Sequence, residues 1–259
     1  MRRSTTYKIF IFVIIFTASL FIKSLICFCE STNSGIENFY RANFLYEQTQ
    51  YAEAIKQYEV LDEQGLASAN LYYNLGNCYF KKGDLGKAIL YYERAKLLAP
   101  RDIDLESNYA YARSLIKAKL TQQRPLWFMH MTRKLFAKLT IDELTLFIFF
   151  LYIAIISSII LGLYFKFMKP CTRSFLIIFA IMFVLGAISL GDRICCRYTE
   201  AVIIKDTEAK FEPFERGTAH FMLSEGMKVS IRSLKEGWAK VKRIDGKIGW
   251  VNQSFLERI

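Results

Sequence analysis

Three uncharged, strongly apolar stretches break the chain into segments of different period. Residues 9–22 read IFIFVIIFTASLFI behind Arg2, Arg3 and Lys8. A positive head before such a centre predicts a secretory signal or an N-terminal anchor over residues 1–30. Residues 144–165 and 174–191 each run without a charge. At about 1.5 Å per residue, either stretch crosses roughly 30 Å of hydrocarbon, which predicts two transmembrane helices. Lys166, Lys169 and Arg173 occupy the short connection with no anion among them. That bias predicts a helical hairpin whose turn is cytoplasmic, as Arg2 and Arg3 predict for the N-terminus. Residues 31–143 and 192–259 then share the opposite side, although Arg133, Lys134 and Lys138 run against that orientation.

Residues 35–122 repeat themselves. Tyr51-Ala52-Glu53-Ala54-Ile55-Lys56-Gln57-Tyr58 returns as Leu85-Gly86-Lys87-Ala88-Ile89-Leu90-Tyr91-Tyr92, a period of 34 that Asn43/Asn77 and Asn74/Asn108 also keep. A fixed period of this length predicts stacked helical units. Gly83-Asp84 reads as a helix stop followed by a cap, and Pro100 as a second stop. Gly76 and Ala88 are small where two antiparallel helices approach, with Leu75, Tyr79 and Tyr92 filling the space beside them.

Tyr72, Leu75, Gly76, Tyr79, Ala88, Tyr92, Ala95 and Pro100 together resemble the signature of the tetratricopeptide repeat (TPR) family, with Tyr for the commoner Trp or Phe at two positions. The resemblance implies an all-α TPR solenoid with units at 35–68 and 69–102 and a capping helix at 103–120. The first unit matches in its second helix only, since Asn38 and Arg41 stand where the family has Trp and Leu. The resemblance also implies a partner-binding face on the first helices, at Phe39, Asn43, Tyr46, Tyr73, Asn77, Phe80, Asn108 and Tyr111. There the rings would line a groove and the Asn side chains would bond a partner's backbone. Packing between repeats is the other role open to them.

Between the repeats and the second apolar stretch, residues 121–143 mix Pro125-Leu126-Trp127-Phe128-Met129-His130 with Arg133, Lys134 and Lys138. Trp beside cations next to a span predicts an interfacial amphipathic segment. After Gly191 the period becomes two. Val202/Ile204, Phe221/Leu223, Val229/Ile231, Trp238 to Val241 and Ile248 to Val251 predict five short strands. Turns are expected at Glu225-Gly226 and Lys235-Glu236-Gly237, with a two-residue hairpin at Asp245-Gly246. Such a segment reads as a small closed all-β barrel. Its Gly237-Trp238-Ala239-Lys240-Val241 and Lys247-Ile248-Gly249-Trp250-Val251 runs resemble the bacterial SH3-like family over 198–259. A ligand surface at Trp238 and Trp250 is implied, beside the alternative that both rings serve packing.

Composition narrows the chemistry. The net charge of +11 is not a basic block, for residues 35–122 hold 11 cations and 11 anions and residues 192–259 hold 13 and 10. Nucleic acid is therefore not an expected partner, since tracking phosphates needs cations gathered on one face. The six cysteines (Cys27, Cys29, Cys78, Cys171, Cys195, Cys196) form no CxxC pair, and His130 and His220 are the only histidines. No metal site, cofactor or catalytic arrangement is expected, and no phosphate loop, GxSxG or HExxH appears. The full order of segments resembles the BatE-type family of the bacterial aerotolerance group. That resemblance implies a non-enzymatic scaffold in the inner membrane, its TPR and SH3-like modules in the periplasm. Membrane proteins with von Willebrand A domains are the implied partners, and a MoxR-type ATPase an indirect one. A cell-wall protein that holds peptidoglycan through the SH3-like module is the alternative.

Overall fold

The computed structural model describes residues 35–117, 127–164 and 169–259. The signal or anchor expected over 1–30 lies outside the described residues, as do residues 121–126 of the interfacial segment. The chain divides into two compact units, residues 1–67 and 68–259.

In the first unit, α1 (residues 35–47) and α2 (Tyr51–Glu63) form a helical pair. Ala42, Ala54 and Tyr58 are fully buried. The turn between the helices is closed by the Thr49 and Gln50 N–H groups, which donate to the carbonyls of Tyr46 (3.0 Å) and Leu45 (2.9 Å). This wrap requires a left-handed residue, and Thr49 supplies it at φ +60°. A β-branched side chain is strained there.

The second unit opens with the same pattern in better chemistry. Ser68 caps α3 (Ala69–Lys82), its hydroxyl accepting from the Leu71 N–H at 3.1 Å. The helix ends at Gly83, φ +87°, with the Gly83 and Asp84 N–H groups donating to Phe80 and Tyr79. Asp84 then caps α4 (Leu85–Leu98) by accepting from the Lys87 N–H at 3.1 Å. Gly76 is forced by sterics, since a Cβ there would stand 2.6 Å from the Tyr92 ring. Asp102 caps α5 (Ile103–Ser114), which stops short of the expected 103–120.

Helix α6 (Trp127–Leu135) precedes α7 (Ile141–Tyr164) and α8 (Lys169–Thr199). A reciprocal capping box starts α7: the Glu143 carboxylate accepts from the Thr140 N–H at 2.9 Å, and the Thr140 hydroxyl accepts from the Glu143 N–H at 3.2 Å. Helices α7 and α8 pack together and are each long and apolar enough to cross a membrane. Most of their apolar side chains are not buried within the protein. Helix α8 continues past Gly191, where the uncharged stretch ends, and leads without a break into the first strand. Its charged continuation is tied to α6. Arg133 forms a two-bond pair with Asp192 (2.6 and 2.9 Å), and the Arg193 guanidinium donates to the carbonyls of Phe136 and Leu139.

Seven antiparallel strands follow: β1 (Glu200–Ile203), β2 (Thr207–Lys210), β3 (Ala219–Leu223), β4 (Lys228–Lys235), β5 (Trp238–Lys242), β6 (Ile248–Asn252) and β7 (Leu256–Arg258), in the order β3-β2-β6-β5-β4-β1-β7. Two differences from expectation matter. The sheet is not closed, because β3 and β7 are its edges and do not pair. Side chains rather than hydrogen bonds finish the core, with Ile116, Phe255 and Leu256 packing against Ile203, Leu223, Val229, Val241 and Val251. The Asp245-Gly246 turn is not a two-residue hairpin. Its loop is closed by the Arg243 N–H donating to Lys247 (2.9 Å), with Gly246 at φ +94° and Arg243 paired to Asp245 at 2.6 and 3.0 Å. The β4–β5 turn at Glu236-Gly237 does have both residues at positive φ, as a tight primed turn requires.

Candidate interaction site

The residues singled out on the first helices hold one another. In the second unit, the Asn77 carboxamide oxygen accepts from the Tyr92 hydroxyl (2.7 Å) and from the Asn108 amide (3.1 Å), which also donates to the Tyr73 hydroxyl at 2.8 Å. Phe80 meets Tyr111 edge-to-face with centroids 5.7 Å apart. Tyr73, Asn77, Phe80, Asn108 and Tyr111 thus form one continuous aromatic and amide strip across α3 and α5. Tyr111 is 60% exposed and Asn108 is exposed. In the first unit, Asn43 accepts from the Tyr58 hydroxyl, Phe39 stands edge-on to Tyr58, and Tyr46 to Tyr51. The Asn–Tyr bond spans 15 residues in both units, so it belongs to the repeat itself and ties its two helices together.

The opposite face of the second unit's helix pair is occupied by the chain's own sheet, and no sequence motif announced it. Gly86 of α4 meets the backbone of Ile203 and Ile204, and a Cβ there would lie 2.6 Å from the Ile204 carbonyl. Its N–H donates to the Glu225 carboxylate at 2.7 Å. Arg94 donates to the Arg258 carbonyl at 2.8 Å and lies 3.4 Å from Glu257. The centre of the contact is ionic. Lys228 of β4 pairs with Glu93 of α4 (3.1 Å) and with Glu200 (2.8 Å), the residue that follows α8. The Tyr109 hydroxyl donates to the other Glu93 oxygen.

Burial alone would push Glu93 up, but the Lys228 ammonium and the Tyr109 hydroxyl outweigh it and hold the carboxyl below its usual range. Burial would pull Lys228 down, and the Glu93 and Glu200 carboxylates instead raise it. Tyr109 is raised by burial and by the Glu93 charge. Both partners of the buried pair are therefore ionised over the ordinary pH range, and the group works as a clasp.

On the sheet, Trp238 and Trp250 lie on one face of β5 and β6, half-buried and diagonal in the register. Each carries a lysine: Lys210 over Trp238 at 5.6 Å and Lys240 over Trp250 at 5.7 Å. His220 is stacked on Phe211 at 4.0 Å, with Nδ1 3.2 Å from the Ile248 carbonyl. The Cys78 thiol is buried and pushed up to about 12 by that burial, which keeps it protonated at neutral pH. Among the described residues, no group of three or more His, Cys, Asp and Glu is placed to hold a metal ion.

The tetratricopeptide repeat family model matches residues 69–102, which are α3, α4 and the turns that flank them. No curated protein matches the chain. Repeats of this kind typically mediate protein–protein contact without catalysis, and the matched residues are those of the helix pair that carries Tyr73, Asn77 and Phe80.

Proposed function

We propose that the chain is a non-enzymatic inner-membrane scaffold that binds a protein partner along the α3/α5 strip, with its repeats and its SH3-like sheet in the periplasm. The observation that carries this reading is the division of the repeat into two faces. The face on α4 is closed by the chain's own sheet, while the strip of Tyr73, Asn77, Phe80, Asn108 and Tyr111 stays open to a ligand. Phe39, Asn43 and Tyr46 are the corresponding positions of the first unit. The paired α7 and α8 serve as the anchor, and the charges at 166, 169 and 173 support a cytoplasmic turn. Arg133, which runs against that orientation, is neutralised by Asp192.

Given the resemblance to BatE-type proteins, the proposed partner is a membrane protein with a von Willebrand A domain, itself linked to a MoxR-type ATPase. A photoreactive residue at Tyr111 in the intact membrane should crosslink to such a protein, and Phe80→Ala should reduce the yield without altering the helical circular dichroism signal. A crosslink confined to copies of this chain, or a yield that Phe80→Ala leaves unchanged, contradicts the reading. A second reading, peptidoglycan binding, is favoured by the shared face of Trp238 and Trp250. Retention of the detergent-solubilised full chain on purified sacculi, lost on Trp250→Ala, would support it.

A further inference from the structure

Helix α6 and the turn after it combine features that the scaffold reading leaves unused. Thr132 and Phe136 are buried, while Met131 and Leu135, one helical turn apart, are exposed at 42% and 55%. Lys134 and Lys138, also one turn apart, are exposed beside them. The helix is held at a defined place: Arg133 grips Asp192, and Arg193 is anchored to the carbonyls of Phe136 and Leu139. Those partners sit at the point where the uncharged run of α8 gives way to charge. One turn beyond Arg193 on the same side of α8 stands the exposed Arg197. Lys134, Lys138 and Arg197 pair with no carboxylate among the described residues. Two acidic groups face this corner, and both are taken: Asp192 by Arg133 and Glu200 by Lys228.

We infer that α6 and the end of α8 form a docking surface for anionic phospholipid headgroups, with Met131 and Leu135 seated among the acyl chains. Charge selects the occupant. Exposed apolar side chains interleaved with unpaired cations suit a surface that is apolar below and negative above, and a zwitterionic leaflet satisfies only half of it. A protein partner would have to supply both features at the level where the spans emerge. The anchoring arginines are spent on holding the helix in place, so recognition falls to the lysines and Arg197. The inference rests on the reading of α7 and α8 as membrane spans.

The test uses the full chain in detergent and in native membranes. After incubation with equal amounts of phosphatidylglycerol and phosphatidylcholine, the purified protein should retain phosphatidylglycerol in about tenfold excess, judged by mass spectrometry of the bound lipid. Lys134→Glu with Lys138→Glu should bring the ratio close to one, while circular dichroism stays unchanged. Lys134→Gln with Lys138→Gln, which cannot create new repulsion, should lower the ratio part of the way. Inorganic phosphate at matched ionic strength should not displace the lipid. Equal retention of both lipids by the unmodified protein overturns the inference, as does a preference that survives charge reversal, or displacement by phosphate alone. Alkaline carbonate washing separates this failure from that of the anchor. Protein released from membranes by carbonate sinks the span reading and this inference together, whereas protein that stays with no lipid preference sinks the inference alone.

Discussion

Helices α2 and α4 occupy the same place in the 34-residue period, and their inward residues match. Ala54 and Tyr58 are fully buried in one, Ala88 and Tyr92 in the other, and each Tyr donates to an Asn on its own unit's first helix. Their outward residues do not match. Where α4 has Gly86, Glu93 and Arg94 turned onto the sheet, α2 has Ala52, Glu59 and Val60, with Ala52 exposed and Val60 40% exposed. The lesson is that a repeat's period fixes how its own helices meet, while a few outward positions decide what the pair docks against. Gly86 is needed for a close backbone approach. Glu93 is a carboxylate that only a designated cation makes tolerable in a buried place.

The largest test removes that cation. Lys228→Ala strands Glu93 beside Tyr109 and should cost about 3 kcal/mol, at the low end for a broken buried pair because Lys228 is itself partly exposed. Thermal unfolding of the detergent-solubilised protein should show a clear fall in Tm, and the double variant Glu93→Gln with Lys228→Met should recover much of it. If the double variant falls further than the single one, the clasp is not the stabilising element.

Next come two opposite glycine exchanges. Gly86→Ala would normally favour a helix, yet here its new methyl meets the Ile204 carbonyl, and a loss of about 2 kcal/mol is expected. Ala52→Gly at the same place in α2 should cost only the ordinary helical penalty, about 1 kcal/mol. Equal effects at the two sites would erase the distinction between the helices.

A smaller effect, of opposite sign, is expected in the turns. Thr49 is held at φ +60° where the second unit has Gly83, so Thr49→Gly should stabilise the first unit by about 1 kcal/mol. Native-state hydrogen exchange of α1 and α2 would report it, and faster exchange would contradict it.

The smallest is a pH effect, read as the Tm difference between the unmodified protein and Glu93→Gln. Because folding lowers the Glu93 carboxyl from 4.5, its stabilisation is full above that value and fades as pH falls through the folded one. Because folding raises Lys228 from 10.5, its share is full below that value and fades as pH rises through the folded one. The difference should therefore be flat across the neutral range and shrink at both extremes.

How much of this could be read beforehand follows the same division. The helix pair of the second unit was legible because Gly76, Gly83, Asp84 and Ala88 each answer a local steric or capping demand. Five strands were legible from alternation, but β2 (Thr207–Lys210) and β7 (Leu256–Arg258) are short and largely polar, and tertiary pairing alone makes them strands. The expected closure failed for a related reason: periodicity counts strands but does not say whether the first and last reach each other. The extension of α8 beyond Gly191 was hidden because charge ended the apolar stretch but not the helix. The clasp was invisible, since Glu93 and Lys228 lie 135 residues apart with no pattern joining them. The place of Asn43 and Asn77 in the repeat leaves them open to binding a partner or to packing between repeats. Their carboxamide oxygens accept from Tyr58 and Tyr92, a bond that needs the folded pair to be seen.

In the proposed topology α7 and α8 form a hairpin through a membrane, with the repeat and the sheet together on one side. Reporter fusions placed after Lys117, after Lys169 and after Ile259 test this directly. The first and third should report the same compartment, the periplasm, and the second the cytoplasm. A reporter at Lys169 that shares the compartment of the other two would contradict it.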